Sequence, residues 1–485
     1  MDRRRFLQLT AASLAAPSIL GCPQAEDSTE AVVPPSVDPD RFDKGARVAF
    51  SPETVAVDEA VFPLGVQAGS SRAVVEGATA VLWTVVDGAR PDLRLRVWRD
   101  SDRADEVVLV KDLPVGQDAD ADGVVKVVVD GLAPSTAYRY GFFTGDANPG
   151  GQRFAARSVL GQLRTAYAVD WVWPVTLGAT TCTNQQHAPF RALERLAEQS
   201  LDVFVHLGDM VYADGSVTRD DYRAHWRRTL ADPGFRALLP RAGGLYVWDD
   251  HEFDNNLDPE RTAPEKIANA RDEFFAHLPM QPNASGGLWQ SWRWGRSVEL
   301  FALDCRTERR PSTRETAQPV YLGDAQLAWL KQALKDSPCH FKVLLNSVPM
   351  TRMPSLWAAS SDRWQGYEVQ RAELLRFLQD NAIDNVWFLA GDFHVGFVSR
   401  VEATGFGRNV FEVAAGPGGN LGNPLAFLAT QPEYAEEVFP SSQFFYGRGQ
   451  LAATTLTFDP RNDVVRVRFF GTDGTVLFDE DIAKE

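Results

Sequence analysis

Four short polar clusters, each directly behind an apolar run of strand type, constrain this chain more than any other feature. They are His206-Leu-Gly-Asp-Met-Val-Tyr212, Trp248-Asp-Asp-His-Glu-Phe-Asp-Asn-Asn256, Leu303-Asp-Cys-Arg306 and Gly391-Asp-Phe-His394. The runs in front of them are Asp202-Val-Phe-Val-His-Leu, Leu245-Tyr-Val-Trp, Val298-Glu-Leu-Phe-Ala-Leu and Asn385-Val-Trp-Phe-Leu-Ala. Short, continuous and rich in branched and aromatic side chains, they read as buried strands. Layered α/β folds bring the carboxyl ends of such strands to one rim, so the carboxylates and imidazoles are expected to converge there.

The rest of the chain supplies the layers. From about residue 168 onward strands alternate with helix-period segments at 189–198, 324–334 and 368–381. Three closing runs, at 451–458, 464–470 and 475–478, read as an antiparallel meander completing a second sheet. Residues 168–485 are therefore expected to form a four-layer α/β domain, two facing sheets with outer helices. Residues 56–167 differ: short alternating runs separated by turn residues predict a separate all-β sandwich of immunoglobulin or fibronectin type. Within it Leu132-Ala-Pro-Ser-Thr-Ala-Tyr138 resembles a tyrosine corner. Asp118-Ala-Asp-Ala-Asp-Gly123 has the opening of a calcium loop, but Val129 stands where the twelfth ligand belongs, so a hairpin turn is preferred.

The amino terminus reads as an address. Arg3-Arg4-Arg5 ahead of Phe6-Leu7, a weakly apolar stretch to Leu20 and then Gly21-Cys22 have the pattern of a twin-arginine export signal, residues 1–21, ending at a lipoprotein cleavage site. Export to the periplasm or cell surface, with lipid on Cys22 holding the protein to a membrane, is the expectation. Residues 22–55, acidic and Pro-rich, read as a disordered tether. The whole chain carries 49 Lys+Arg against 65 Asp+Glu, a charge of −16; without residues 1–21, whose three Arg and one Asp carry +2, it is −18. Such a surface argues against a nucleic-acid partner. Of four cysteines, at 22, 182, 305 and 339, one is assigned to lipid and three remain, too few and too scattered for a disulfide framework.

Carboxylates and imidazoles on several strand ends suit a centre of two or three metal ions. Such a centre supplies hydroxide at neutral pH and stabilises the oxygens of a phosphate ester. The order and spelling of Gly208-Asp209-Met-Val-Tyr212, Trp248-Asp249-Asp250-His251-Glu252 with Asn255-Asn256, Leu303-Asp304-Cys-Arg306 and Gly391-Asp392-Phe-His394 resemble the alkaline phosphatase D (PhoD) family of the calcineurin-like metallophosphatases. Phe62-Pro-Leu-Gly-Val-Gln and Val81-Leu-Trp-Thr84 are similar to that family's leading sandwich.

The resemblance implies an exported phosphomonoesterase or phosphodiesterase using a metal-activated hydroxide, with ferric iron and calcium as cofactors and zinc or another divalent metal as the alternative. It implies that Asp209 bridges metals, that Tyr212 and Cys182 bind iron, and that Asp250, Asp392, His394 and either Asn255 or Asn256 complete the ligand set. His251 is then the proton donor and Arg306 a phosphate contact, while Asp249, Glu252 and Asp304 read as loop caps that either support the ligands or join them. The loop Glu412 to Asn420 reads either as pocket lining or as a turn. Two other readings stand beside this one. A phospholipase-type diesterase is suggested by Trp289, Trp292, Trp294 and Trp357 and by membrane tethering, and a non-catalytic surface module with a degenerate site comes from another class.

Overall fold

The computed structural model describes residues 37–484, apart from 75–76, 104, 146–153 and 358–359. The export signal, Cys22 and the first part of the tether lie outside the described residues. Three sheets organise the rest. A seven-stranded sheet runs, in spatial order, Gln290–Trp294, Val298–Ala302, Phe341–Leu345, Val386–Ala390, Phe411–Ala414, Gly396–Arg400 and Phe444–Arg448. Its centre, from Val298–Ala302 to Phe411–Ala414, is parallel. Side chains alternate across it as strand geometry demands. Val298, Leu300 and Ala302 join one core while Phe301 and Leu303 join another, and Trp387 and Leu389 likewise oppose Phe388. The first core is shared with an eleven-stranded sheet, and the second is closed by Leu327, Leu330 and Leu334 of helix Asp324–Asp336 and Leu374 and Leu378 of helix Glu368–Asp380.

The eleven-stranded sheet departs from expectation in two ways. Its parallel heart is Val175–Thr183, Val203–Leu207 and Gly243–Val247. The closing meander, strands Ala452–Asp459, Val464–Gly471 and Val476–Ala483, attaches to this sheet by antiparallel pairing with Val175–Thr183, rather than completing the second sheet. It thereby covers what would be an open strand edge. On the other side Val66–Gly69 pairs in parallel with Gly243–Val247, Gly243 opposite Ala68. Strands Gly77–Val85, Arg72–Val74 and Val124–Leu132 then continue the same sheet. The boundary expected near residue 167 is therefore no break in hydrogen bonding. Trp83 Nε1 donates to the carbonyl of Ala276 at 2.8 Å and Lys126 Nζ to that of Met280 at 3.0 Å, fastening the leading strands to the following region.

A third sheet of six strands faces this extension, with Leu95, Val97, Tyr140 and Phe142 packed against Val66, Leu82 and Val129. Its edge strand is Ala46–Ala49, paired with Glu106–Pro114, so residues expected as tether are ordered from at least Asp38 onward. The reason is local. Asp43, buried, accepts from Arg99 Nε at 2.9 Å and from the hydroxyl of Tyr138 at 2.7 Å, while Tyr138 in turn accepts the N–H of Ala133 at 2.8 Å. The corner that the sequence suggested at Tyr138 thus anchors the preceding segment. The Asp118–Gly123 stretch is a turn in which Asp120 Oδ1 accepts the N–H groups of Asp122 and Val124, both at 2.9 Å, and Asp122 pairs with Arg223. Cys182, Cys305 and Cys339 are all free and buried.

Candidate metal centre

Parallel pairing sends the ends of five strands to one rim. Cys182 closes Val175–Thr183; Asp209 follows Val203–Leu207; Asp249 to Glu252 follow Gly243–Val247; Asp304 and Arg306 follow Val298–Ala302; Asp392 and His394 follow Val386–Ala390. Two glycines let these ends approach. A Cβ on Gly391 would lie 2.2 Å from Thr181 Oγ1 and 2.5 Å from the carbonyl of Leu207, and Gly208, at φ +92°, would place one 2.5 Å from Asp249 Cβ. Cys182, Asp209, Asp392 and His394 all hold left-handed φ values, 55°, 56°, 63° and 53°. Non-glycine residues there cost on the order of 1–3 kcal/mol each, and four of them on one rim mark strain kept where side chains must be aimed. Glu252 fixes the loops: its carboxylate accepts the N–H groups of Asp209 at 3.0 Å, Asp249 at 2.8 Å and Met210, and burial pushes its pKa up to about 7.

Three overlapping sets of ligand atoms result. Those of Cys182, Asp209 and His394 lie within 4.8 Å of one another, as do those of Asp209, Asp250 and His251 and those of Asp249, Asp250 and Asp392. Asp209 belongs to two sets and Asp250 to two, the property a bridging ligand needs. The Tyr212 hydroxyl sits 3.3 Å from both Asp209 Oδ2 and His394 Nε2. Asn420, from the glycine loop, donates to that hydroxyl at 2.7 Å and lies 3.2 Å from His394 Nε2. Electrostatics point the same way. Burial, then the charges of neighbouring acids, raise Asp209 and Asp392 well above the carboxylate range, and burial raises Asp250. Burial and Asp209 push the Cys182 thiol up, and burial lowers His394 to about 4. Acids crowded this closely call for cations, and thiol, imidazole, phenol and carboxylates form a donor set that fits them.

His251 is placed differently from the other candidates. Its Nδ1 lies 2.8 Å from Asp214 Oδ1, and its ring packs 4.0 Å from that of Tyr212. Burial alone would lower its pKa, but the bond to Asp214 and the charges of Asp209 and Asp250 outweigh it and leave the imidazole raised to about 10. Arg306 is wholly buried: Nη2 donates to Asp249 at 2.8 Å and to Asp392 at 2.9 Å, Nη1 to Asp362 at 2.6 Å, and Nε to Asp249. Its donors go to carboxylates here, not toward an incoming phosphate. It is the counter-ion that, against the effect of burial, keeps Asp249 ionised.

Asn255 is exposed, with Oδ1 accepting from Asn256 at 3.1 Å; Asn256 gives its backbone N–H to Asp250. Asp304 caps its own loop, accepting from the N–H of Arg306 at 3.1 Å and of Thr307 at 2.8 Å and from Trp248 Nε1 at 3.0 Å. Sequence reasoning did not single out Asp214 and Asp362. Asp214 is two residues beyond Tyr212 and within reach of the motif, whereas Asp362 ends the motif-free 3-10 turn Ser360–Asp362 and is recruited by Arg306, Arg309 and, at 3.9 Å, Arg314.

Comparison with known proteins agrees with this geometry. A family model described as PhoD-like phosphatase matches residues 177–450, from the first strand of the rim past its last ligand. Alkaline phosphatase D of Bacillus subtilis (strain 168) is 26% identical over 326 residues, 57% of this chain and 54% of that protein, so the match spans about half the length of the curated relative. The solved structure of PhoD superposes with a TM-score of 0.70 at 21% identity, over 89% of this chain and 90% of that one. A purple acid phosphatase from yellow lupin (Lupinus luteus) seeds superposes with 0.59 at 11% identity, over 91% and 75%; at these identities both show a shared fold. With more than half of the chain inside the family model, and that half carrying the converging strand ends, this chain belongs to the PhoD-like phosphatase family.

Proposed function

We propose that the protein is a metal-dependent phosphoric ester hydrolase acting on phosphate monoesters or diesters. The observation that carries this is Asp209, shared between the Cys182–His394 set and the Asp250–His251 set. Cys182, Tyr212, Asp209 and His394 would hold iron, because thiolate and phenolate suit it; Asp250 and Asp392 offer only oxygen and would hold a hard cation such as calcium. Zinc or another divalent metal is the alternative occupant. Bound metals supply Lewis acidity and a hydroxide at neutral pH. The protein's own residues do the rest: Asp214 orients His251 and holds its proton, and His251 delivers that proton to the leaving oxygen. Asn420 steadies Tyr212 and His394.

The leading sheets fit the immunoglobulin- or fibronectin-like sandwich read from the sequence, supported by the Tyr138 corner. Export by the twin-arginine route and a lipid anchor at Cys22 rest on the Arg3-Arg4-Arg5 and Gly21-Cys22 patterns. A lipid-directed diesterase is a second reading, favoured by Leu421, 69% exposed and adjacent to Asn420, and by Phe427, 68% exposed. The deciding experiment is metal analysis of the exported protein together with turnover of p-nitrophenyl phosphate, its bis-ester and a phospholipid. Asp209→Ala should lose turnover on the order of a thousandfold, with folding intact by circular dichroism. Near-wild-type turnover in that variant would refute the assignment, and hydrolysis of the phospholipid alone would select the second reading.

A further inference from the structure

Away from the metal centre a partly buried arginine has no acidic partner among the described residues. Arg72, on the short edge strand Arg72–Val74, reaches across to the edge strand Gln290–Trp294 of the seven-stranded sheet. Its Nη2 donates to Gln290 Oε1 at 2.6 Å and its Nη1 to the carbonyl of Ser291, and the guanidinium lies 4.2 Å from the centre of the Trp292 ring. Both acceptors are neutral, and among the described residues no acidic group acts on Arg72 to offset its partial burial, which draws its pKa down to about 10. Neutral acceptors hold a guanidinium in place but return no charge, and two bonds leave most of its five N–H groups free.

A cavity of about 210 Å³ adjoins this cation, opening beside the half-exposed Val128. Ser70, only 7% exposed, also lines it, and the Ser70 hydroxyl is buried with no hydrogen-bond partner. An unsatisfied hydroxyl and an uncompensated guanidinium on one cavity are two separate costs of burial that one ligand can remove. The remaining wall includes Val81, Val128 and Met280, which are apolar. None of the metal-centre residues lines this cavity.

We propose that the cavity is a binding site for a short-chain aliphatic carboxylate, its carboxylate on Arg72 and Ser70 and its chain along Val81, Val128 and Met280. A single cation balances a single negative charge, and the planar guanidinium matches two coplanar oxygens. A phosphate dianion would leave a charge unbalanced. Seated between Arg72–Val74 and Gln290–Trp294, the ligand clamps the edges of two sheets together, so occupancy stabilises the folded protein.

The test is thermal unfolding and calorimetric titration of the full chain with butyrate, with its uncharged counterpart butyramide, and with inorganic phosphate. Butyrate should bind saturably and raise the unfolding temperature with concentration, as a ligand of the native state must, while butyramide should not. Arg72→Gln should weaken butyrate at least about tenfold and Ser70→Ala roughly three- to tenfold, the loss expected for a charged and a neutral hydrogen bond. Turnover of p-nitrophenyl phosphate should be unchanged in both. Equal shifts from butyrate and butyramide in the unaltered protein, an Arg72→Gln variant that responds to butyrate undiminished, or displacement of butyrate by phosphate would each overturn the proposal. The first and third need no variant to fold.

Discussion

Asp214 and Asp209 act on the same histidine from different sides. Asp214 bonds to His251 Nδ1, and Asp209 accepts the backbone N–H of His251 at 3.4 Å. Asp214→Asn keeps the size and an acceptor but removes the charge that holds the imidazole protonated. It should lower kcat roughly a hundredfold, the usual worth of a positioned acid, with little change in KM. Steady-state kinetics on p-nitrophenyl phosphate decide it, and a pure KM effect would contradict the assigned role. Tyr212 and Cys182 make a spectroscopic prediction instead. If they hold iron, the purified enzyme absorbs in the visible through phenolate and thiolate charge transfer. Tyr212→Phe should then shift or bleach that band, and Cys182→Ser should lower iron content more than calcium, which does not seek sulfur. A colourless, iron-free and fully active enzyme would sink the iron assignment while leaving the hydrolase reading untouched.

Helix Pro264–His277 shows how an element far from the motifs feeds stability. Its last residue, His277, is fully buried, with Nδ1 3.0 Å from the carbonyl of Glu273 and its ring stacked on Trp226. Burial lowers its pKa from 6.5 to about 3. Because the folded value lies below the unfolded one, the unfolded chain takes up a proton first as the pH drops. Stability is therefore full above about pH 6.5 and falls toward pH 3; at pH 5 this one group costs about 2 kcal/mol. His277→Asn, which does not titrate, should be destabilised at pH 7.5 through lost packing yet show a shallower decline between pH 7.5 and 5 in urea unfolding. Parallel declines in the two proteins would contradict the account.

On the scale of the whole molecule, the continuous sheet from the meander through Gly243–Val247 to Arg72–Val74 makes the leading strands Val66–Gly69, Arg72–Val74, Gly77–Val85 and Val124–Leu132 part of the framework that carries the rim. A chain starting at residue 168 would leave Gly243–Val247 with an unpaired edge and would expose the face of the core that Leu64, Trp83, Val85 and Val124 cover. It should aggregate or lack a cooperative unfolding transition, as judged by size-exclusion chromatography and near-ultraviolet circular dichroism. A monomeric, cooperatively folded 168–485 chain would show the shared sheet to be dispensable.

The sequence by itself determined which strands are buried and which residues sit at their ends, because apolar runs and the polar clusters behind them are local patterns. Asp209, Tyr212, Asp250, His251, Asp392 and His394 were legible for that reason, as was the Tyr138 corner. Only the tertiary structure decided that the meander joins the first sheet and that Val66–Gly69 extends it, since strand partners are chosen by edges and faces far apart along the chain. The same holds for charge. Nothing local marks Asp362 as a partner of Arg306, and nothing local reveals that Arg306 is buried among carboxylates. A guanidinium's role follows from the groups packed around it, and the fold alone assembles those groups.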